Sequence, residues 1–257
     1  GQDIILGRRV AVIGGGNAAI DSARIALRKG AEVHLFYRRE RDDMPAIEKE
    51  IEAAEKEGVK FHYLAAPVEI TGKGGKVKAV KLFHMRLGEF DRSGRRRPVT
   101  IEGSEFVFEV DSVIEAVGQG PDSTFLGKNG VELSKSGSVL VDPRTLATSR
   151  PGVFAGGDAV AEPATVTDAM CAGMKAADSI RRFLEGEEFV PAIKYEAIEV
   201  PSVPTADQEI IEKQRVQPPE IPLDKRVKTF DEVVRSYIPE RAKEEARRCL
   251  RCDLETE

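Results

Sequence analysis

The sequence contains no tryptophan, three cysteines, three histidines and 6% aromatic residues, which leaves little from which to build a disulfide framework or a histidine-rich metal site. Cys171, Cys249 and Cys252 are odd in number, and the Cys-x-x-Cys pair suits metal or redox chemistry better than secretion. A basic excess is also missing. Lys and Arg number 39 against 44 Asp and Glu, a net charge of −5, so the chain carries no electrostatic footprint for nucleic acid. Charge or glycine breaks every apolar run well short of the ~18 residues a membrane span needs. No charged-then-apolar leader opens the chain, and the cytoplasm is the expected compartment. Glycine vanishes after Gly186, while half of the 14 prolines lie beyond residue 190. The final stretch, 187–257, therefore reads as a proline-interrupted strap with a tail helix rather than another core.

What is present suits an ordinary folded protein. With 257 residues, 41% of them hydrophobic and 32% charged, there is room for one large or two modest domains at roughly 150 residues each. Arg9–Ile13 is a short apolar strand, followed by glycines and a helix from about Asn17 to Lys29 that stops at Gly30. A second strand follows at 32–37, then a helix over 46–57 opened by Pro45 and closed by Gly58, then a third strand at 60–65. Segments 77–90, 98–101 and 105–110 alternate around glycine turns as an antiparallel meander would, and 112–117 returns as a buried strand. Residues 131–142 read as a hairpin, 152–155 as a short strand and 165–184 as one long helix. The expected fold is α/β: a Rossmann-like, three-layer nucleotide-binding domain with a β-meander insertion, over residues 1–117.

The glycines after the first strand carry chemistry. Gly14-Gly15-Gly16-Asn17-Ala18-Ala19 fits the dinucleotide pattern G-x-G-x-x-A between a strand and a helix. Gly14 permits the tight turn, Gly16 lets backbone approach a pyrophosphate, and the helix N-terminus at Asn17 and Ala18 faces the phosphates with its positive dipole end. At the end of the second strand, where an NAD-selective site places an acid, the chain reads Tyr37-Arg38-Arg39. A 2′-phosphate of charge near −2 is held by guanidinium forks and repelled by carboxylates, so Arg38 and Arg39 favour NADP(H). The competing reading is a solvated basic turn balanced by Glu40, Asp42 and Asp43. Gly118 and Gln119 end the returning strand at the carboxyl edge of the sheet, where ligands of open α/β folds sit. Further on, Gly157-Asp158 closes a short strand, and a helix follows at Ala164-Thr165-Val166. An acid there can accept hydrogen bonds from a ribityl chain, and the helix N-terminus can face a ring carbonyl that becomes anionic on reduction.

These stretches together resemble the pyridine nucleotide-disulfide oxidoreductase superfamily, specifically flavoproteins like the glutamate synthase small subunit. The likeness lies in Val10–Asp21, Phe36–Ala46, Ala116–Asp122 and Gly152–Ala177. It implies an NADPH domain inserted between two segments of an FAD domain, with Gly14, Gly16, Asn17, Ala18, Arg38 and Arg39 toward NADPH. Gly157, Asp158 and Ala164 to Val166 are assigned to FAD, making 118–186 the C-terminal segment of the FAD domain. The first FAD segment, with its own glycine fingerprint, and the family's N-terminal iron–sulfur region are expected ahead of residue 1 or on a separate subunit.

Near the C-terminus, Cys249 and Cys252 offer two thiolates, half of the roughly four ligands that zinc or a four-iron cluster needs. The string around them resembles the cysteine segments of the family's iron–sulfur regions; the alternative is a partner-docking helix with spare cysteines. Cys171, flanked by Met170, Ala172 and Met174, reads as core packing, and the tip Arg92–Arg97 as a solvated hairpin or a docking patch for an acidic redox partner. The leading function is NADPH-dependent electron transfer through FAD toward an iron–sulfur acceptor. Taken by itself, the chain is then expected to bind the nucleotide, keep no flavin and turn over no NADPH. The alternative is a non-catalytic nucleotide-binding and docking module. A disulfide reductase is disfavoured, because residues 1–170 contain no cysteine.

Overall fold

The computed structural model describes residues 4–91, 94–160, 165–187 and 214–247. The chain divides into two compact units, Gly1–Gly118 with Val203–Glu257, and Gln119–Ser202.

In the first unit, β1 (Arg9–Ile13), β2 (Glu32–Phe36), β3 (Lys60–His62) and β7 (Ser112–Glu115) form a parallel sheet in the order β3-β2-β1-β7. Alternation along β1 divides its side chains between two faces. Val10 and Val12, with Val33 and Leu35, pack under α1 (Asn17–Arg28) and α2 (Glu48–Glu57) against Ile20, Ala23, Ile51 and Ala54. Ala11 and Ile13, with Phe36, face the other way onto Ala65, Val80, Leu82 and Val110. That second layer is an antiparallel sheet of β4 (Ala65–Lys73), β5 (Lys76–Phe90) and β6 (Arg96–Glu109). The unit is thus helices, parallel sheet and meander, with both faces of the parallel sheet covered, as such sheets require.

Three details differ from the sequence expectation. The third strand stops at His62, because Leu64 adopts φ +54° and redirects the chain, so that Ala65 begins β4 and pairs with His84. The second helix begins at Glu48, with Ile47 as its N-cap, and Gly58 closes it at φ +103°. Segments 98–101 and 105–109 belong to one long strand, β6, whose pairing slips between Thr100 and Glu105, around Gly103 at φ +72°.

Beyond the strap's first part, residues 214–247 have structure of their own: α5 (Leu223–Arg226), α6 (Pro239–Ala246) and an antiparallel bridge between Glu220 and Val234. Glu245 accepts the amide of Val216 at 2.9 Å, and Arg28 of α1 donates Nε to the Arg226 carbonyl at 3.1 Å, which ties this segment to the helix layer.

The second unit holds α3 (Thr124–Lys128), a bridge between Leu133 and Val139 about the expected hairpin, and α4 (Val166–Glu185). Thr165 caps α4 in a reciprocal box with Asp168, and Gly186 ends it at φ +69°. Cys171 corrects the packing expectation, since it is exposed. Val166, Met170 and Met174, spaced four apart on one face of the same helix, are 77%, 66% and 76% exposed, so this stripe is not core among the described residues. No helix among the described residues is long and apolar enough to cross a membrane.

One polar cluster lies between the two sheets of the first unit. His34 Nδ1 sits 2.8 Å from His62 Nε2, His34 Nε2 is 3.2 Å from Glu32, and the Phe108 ring packs on both imidazoles. Burial holds both histidines below their ordinary value, with Lys60 and Arg9 nearby opposing a further positive charge on His34. Their folded pKa values are depressed, so their stability contribution is fully present above the unfolded value of about 6.5 and is lost as pH falls through the lower folded values. Stability of the wild type to urea is therefore expected to fall as pH drops below about 6.5, and a His34→Gln, His62→Gln variant to show a flatter pH dependence. An equal pH slope in that variant would assign the acid sensitivity to other groups.

Candidate functional site

A cleft of about 600 Å³ opens at the carboxyl ends of β1, β2 and β7, where the parallel sheet changes the direction of its connections. Gly14, Gly15, Gly16, Asn17, Ala18, Arg38, Arg39 and Gly118 all line it, so the structure brings together eight of the residues singled out in the sequence. Pro67 of β4 and Arg95 of the β5–β6 turn line it too, and neither was anticipated there.

The three consecutive glycines have three different reasons. Gly14 lies at φ +141°, and a Cβ there would stand 2.3 Å from the Ala116 carbonyl oxygen of the strand β7 exit. At Gly15 a Cβ would meet the Tyr37 ring at 2.4 Å, and that ring is fixed because its hydroxyl donates to the Asp43 carbonyl at 2.8 Å. Among the described residues a Cβ at Gly16 would meet nothing within 4 Å, and its φ of −89° is open to any residue. No contact with a described residue explains the glycine at 16. Room for something approaching from the cleft does.

Gly16 is also the N-cap of α1, with no side-chain cap, so the positive end of the helix dipole faces the cleft. Asn17 has a second task, accepting the Ile47 amide on Oδ1 at 2.9 Å, while the Ala46 amide donates to the Gly15 carbonyl at 3.2 Å. The start of α2 is thereby fastened to the glycine loop.

The adjacent arginines part company at the end of β2. Arg38 is exposed, and its guanidinium makes no hydrogen bond or ion pair with any described residue. Arg39 is only 5% exposed; its Nη2 donates to Asp91 Oδ2 and its Nε to the Arg96 carbonyl, each at 2.8 Å. Asp91 and the Arg96 carbonyl are thereby held against the end of β2, while Gly94, Arg96 and Arg97 are exposed, as a solvated hairpin would leave them. Arg92 and Ser93 lie outside the described residues. Arg41 is bound by Glu48 and by Glu55, which raise its pKa and occupy its charge.

In the second unit, Gly156 and Gly157 lie against the first turns of α4: a Cβ on Gly156 would stand 3.0 Å from that of Ala172, and one on Gly157 3.6 Å from that of Ala169. The turn carrying Asp158, which is exposed, is thus seated beside the helix that begins at Val166. Thr165 donates its hydroxyl to the Asp168 carboxylate at 2.7 Å and its amide to the same oxygen at 3.0 Å, and these bonds hold the Asp168 carboxyl below its ordinary pKa. Gln119 is exposed at the start of this unit. Ala164, Cys249 and Cys252 lie outside the described residues, and among the described ones no group of three or more His, Cys, Asp or Glu is placed to hold a metal ion.

Comparison with known proteins agrees with this geometry. A family model described as pyridine nucleotide-disulphide oxidoreductase matches residues 2–173. The NADP(+)-dependent formate dehydrogenase subunit beta of Moorella thermoacetica is 45% identical over 253 residues, 96% of this chain and 36% of that protein. The glutamate synthase [NADPH] small chain of Escherichia coli is 40% identical over 185 residues, 70% of this chain and 39% of that protein. The chain therefore spans well under half the length of these curated relatives. Among solved structures, thioredoxin reductase of T. acidophilum matches with a TM-score of 0.54 and 29% identity, over 70% of this chain and 53% of that one.

Proposed function

The chain belongs to the pyridine nucleotide-disulphide oxidoreductase family, and from that membership we propose that it is the NADPH-binding part of a flavin-dependent oxidoreductase that delivers electrons to an iron–sulfur acceptor. The observation that carries this reading is Gly16, which lines the cleft at a helix N-terminus and where a Cβ would meet no described residue within 4 Å. The names of the relatives support the nucleotide: both are NADP(H)-linked subunits.

The residues fit a dinucleotide. Backbone amides at the start of α1 would take the pyrophosphate, Gly16 would admit it, and Arg38 would reach the 2′-phosphate end. Gly157, Asp158 and the first turn of α4 suit the ribityl and ring end of a flavin. The 257 residues contain one G-x-G-x-x-A fingerprint, so the flavin pyrophosphate would find its loop on another segment or subunit. The bound cofactors supply hydride and electron transfer, and the protein's part is to bind, orient and exclude water. That division of labour accounts for the lack of an acid–base pair in the cleft. Residues 1–117 would then be the nucleotide domain, 118–186 the flavin-facing segment and 187–257 a strap whose cysteines face an iron–sulfur partner. The thioredoxin reductase likeness extends to the fold and not to the disulfide chemistry, since no cysteine occurs in residues 1–170.

Calorimetric titration is the test. NADPH is expected to bind at least tenfold tighter than NADH, a difference of about 1.4 kcal/mol, and an Arg38→Ala variant to lose most of that preference. Equal affinities in the wild type would remove the NADPH assignment.

A further inference from the structure

A phosphate monoester of charge near −2 is best held by two guanidinium groups, and the sequence offers Arg38 and Arg39 side by side. Both border the cleft in the folded chain, but their guanidinium groups are not equally placed for it. Arg39 is buried, its Nη2 spent on Asp91 and its Nε on the Arg96 carbonyl, so its charge is matched by a carboxylate at 2.8 Å. Arg41, the next cation along, is matched by Glu48 and Glu55.

The same Asp91 organises the β5–β6 turn. Its amide donates to the Arg95 carbonyl at 2.7 Å, its carbonyl accepts the Gly94 amide at 3.1 Å, and its Oδ1 accepts the Arg95 amide at 3.4 Å. One carboxylate thus bridges the buried Arg39 on the parallel sheet and the backbone of a turn 52 residues later. The consequence is that Arg95, from the inserted meander, lines the cleft alongside Arg38.

Resting on the reading that this cleft holds NADPH, the geometry points to Arg95 as the second guanidinium that selects the 2′-phosphate, with Arg39 and Asp91 as the pair that positions it. The meander is then part of the nucleotide site rather than an inert insertion. Selectivity between NADPH and NADH is set by two guanidinium groups from two different sheets. A chain in which the turn is displaced would keep its glycine loop and its affinity for NADH while losing discrimination.

The experiment uses the full chain and four probes: NADPH, NADH, 2′,5′-ADP and 5′-AMP, titrated calorimetrically. Arg95→Gln is expected to weaken NADPH and 2′,5′-ADP about tenfold while changing NADH and 5′-AMP less than twofold. Asp91→Asn, which touches no nucleotide in this assignment, is expected to lower the NADPH-to-NADH ratio as well. In the R95Q background, Asp91→Asn should have no further effect on that ratio. A discrimination unchanged in R95Q would overturn the assignment of Arg95, and a further loss on adding D91N would overturn the positioning half by showing that the pair acts through Arg39 itself. Wild-type chain that binds neither NADPH nor 2′,5′-ADP would instead sink the nucleotide reading on which the inference stands.

Discussion

Replacing Gly16 with alanine is expected to weaken NADPH binding on the order of a hundredfold, about 2.8 kcal/mol, while leaving thermal unfolding nearly unchanged. The separation follows from the geometry. A methyl at this position touches no described residue within 4 Å, and φ −89° with ψ 176° is an ordinary extended conformation. The only intrinsic loss is that alanine is a poorer N-cap than glycine, which amounts to less than about 1 kcal/mol. The methyl would occupy the space through which phosphate approaches the amides at the start of α1. Gly14→Ala provides the contrast. There the Cβ would stand 2.3 Å from a backbone oxygen at φ +141°, so that variant should lose stability and binding together. Calorimetry with NADPH beside a thermal melt distinguishes the cases. A Gly16→Ala protein that binds normally would show that nothing approaches the loop at that point, and one that melts as early as Gly14→Ala would mean that the glycine is structural.

How far the sequence could be read depended on the distance over which each feature is determined. The β1, glycine loop and α1 unit was legible nearly to the residue, because the apolar run, the glycine cluster and the helix stop at Gly30 are all local signals. The beginning of β4 was not legible. Residues 65–73 are mostly exposed with weak alternation, and the redirection of the chain rests on one left-handed residue, Leu64, of a type that seldom adopts that conformation. The division of labour between Arg38 and Arg39 was half legible. Neighbours at a strand end point to opposite sides, which already separates the two guanidinium groups, but the partner that claims Arg39 lies in a turn that only the fold brings near. Cys171 shows the converse error. Its methionine and alanine neighbours look like core, yet the helix turns 166, 170 and 174 outward, and composition alone cannot tell a covered apolar face from an uncovered one.

The largest stability effect is expected from a carboxylate far from the cleft. Glu57, 6% exposed, ends α2 and accepts Arg24 Nε at 2.9 Å, Arg24 Nη2 at 2.8 Å and Arg28 Nη2 at 3.1 Å, so one side chain holds two arginines of α1. Arg24 reaches Glu50 as well, and its pKa is raised chiefly by the hydrogen bond to Glu57. Burying an ion pair is not in itself a large gain, but deleting one member leaves the other charges desolvated and unmatched. Glu57→Ala is therefore expected to destabilise the first unit by about 3–5 kcal/mol. That should lower its melting temperature by roughly 10 °C. Glu57→Gln preserves the shape and part of the hydrogen bonding, and should cost less. The loss should also spread. Arg28 donates to the Arg226 carbonyl, so freeing it from Glu57 loosens the attachment of residues 214–247 to the helix layer, and limited proteolysis should cut that segment earlier than in the wild type. Urea unfolding and a protease time course measure the two consequences separately. A Glu57→Ala chain within about 1 kcal/mol of the wild type would mean that Glu50 alone can neutralise both arginines, in which case the cluster is a surface network of ordinary weak pairs rather than the joint between α1, α2 and the C-terminal segment.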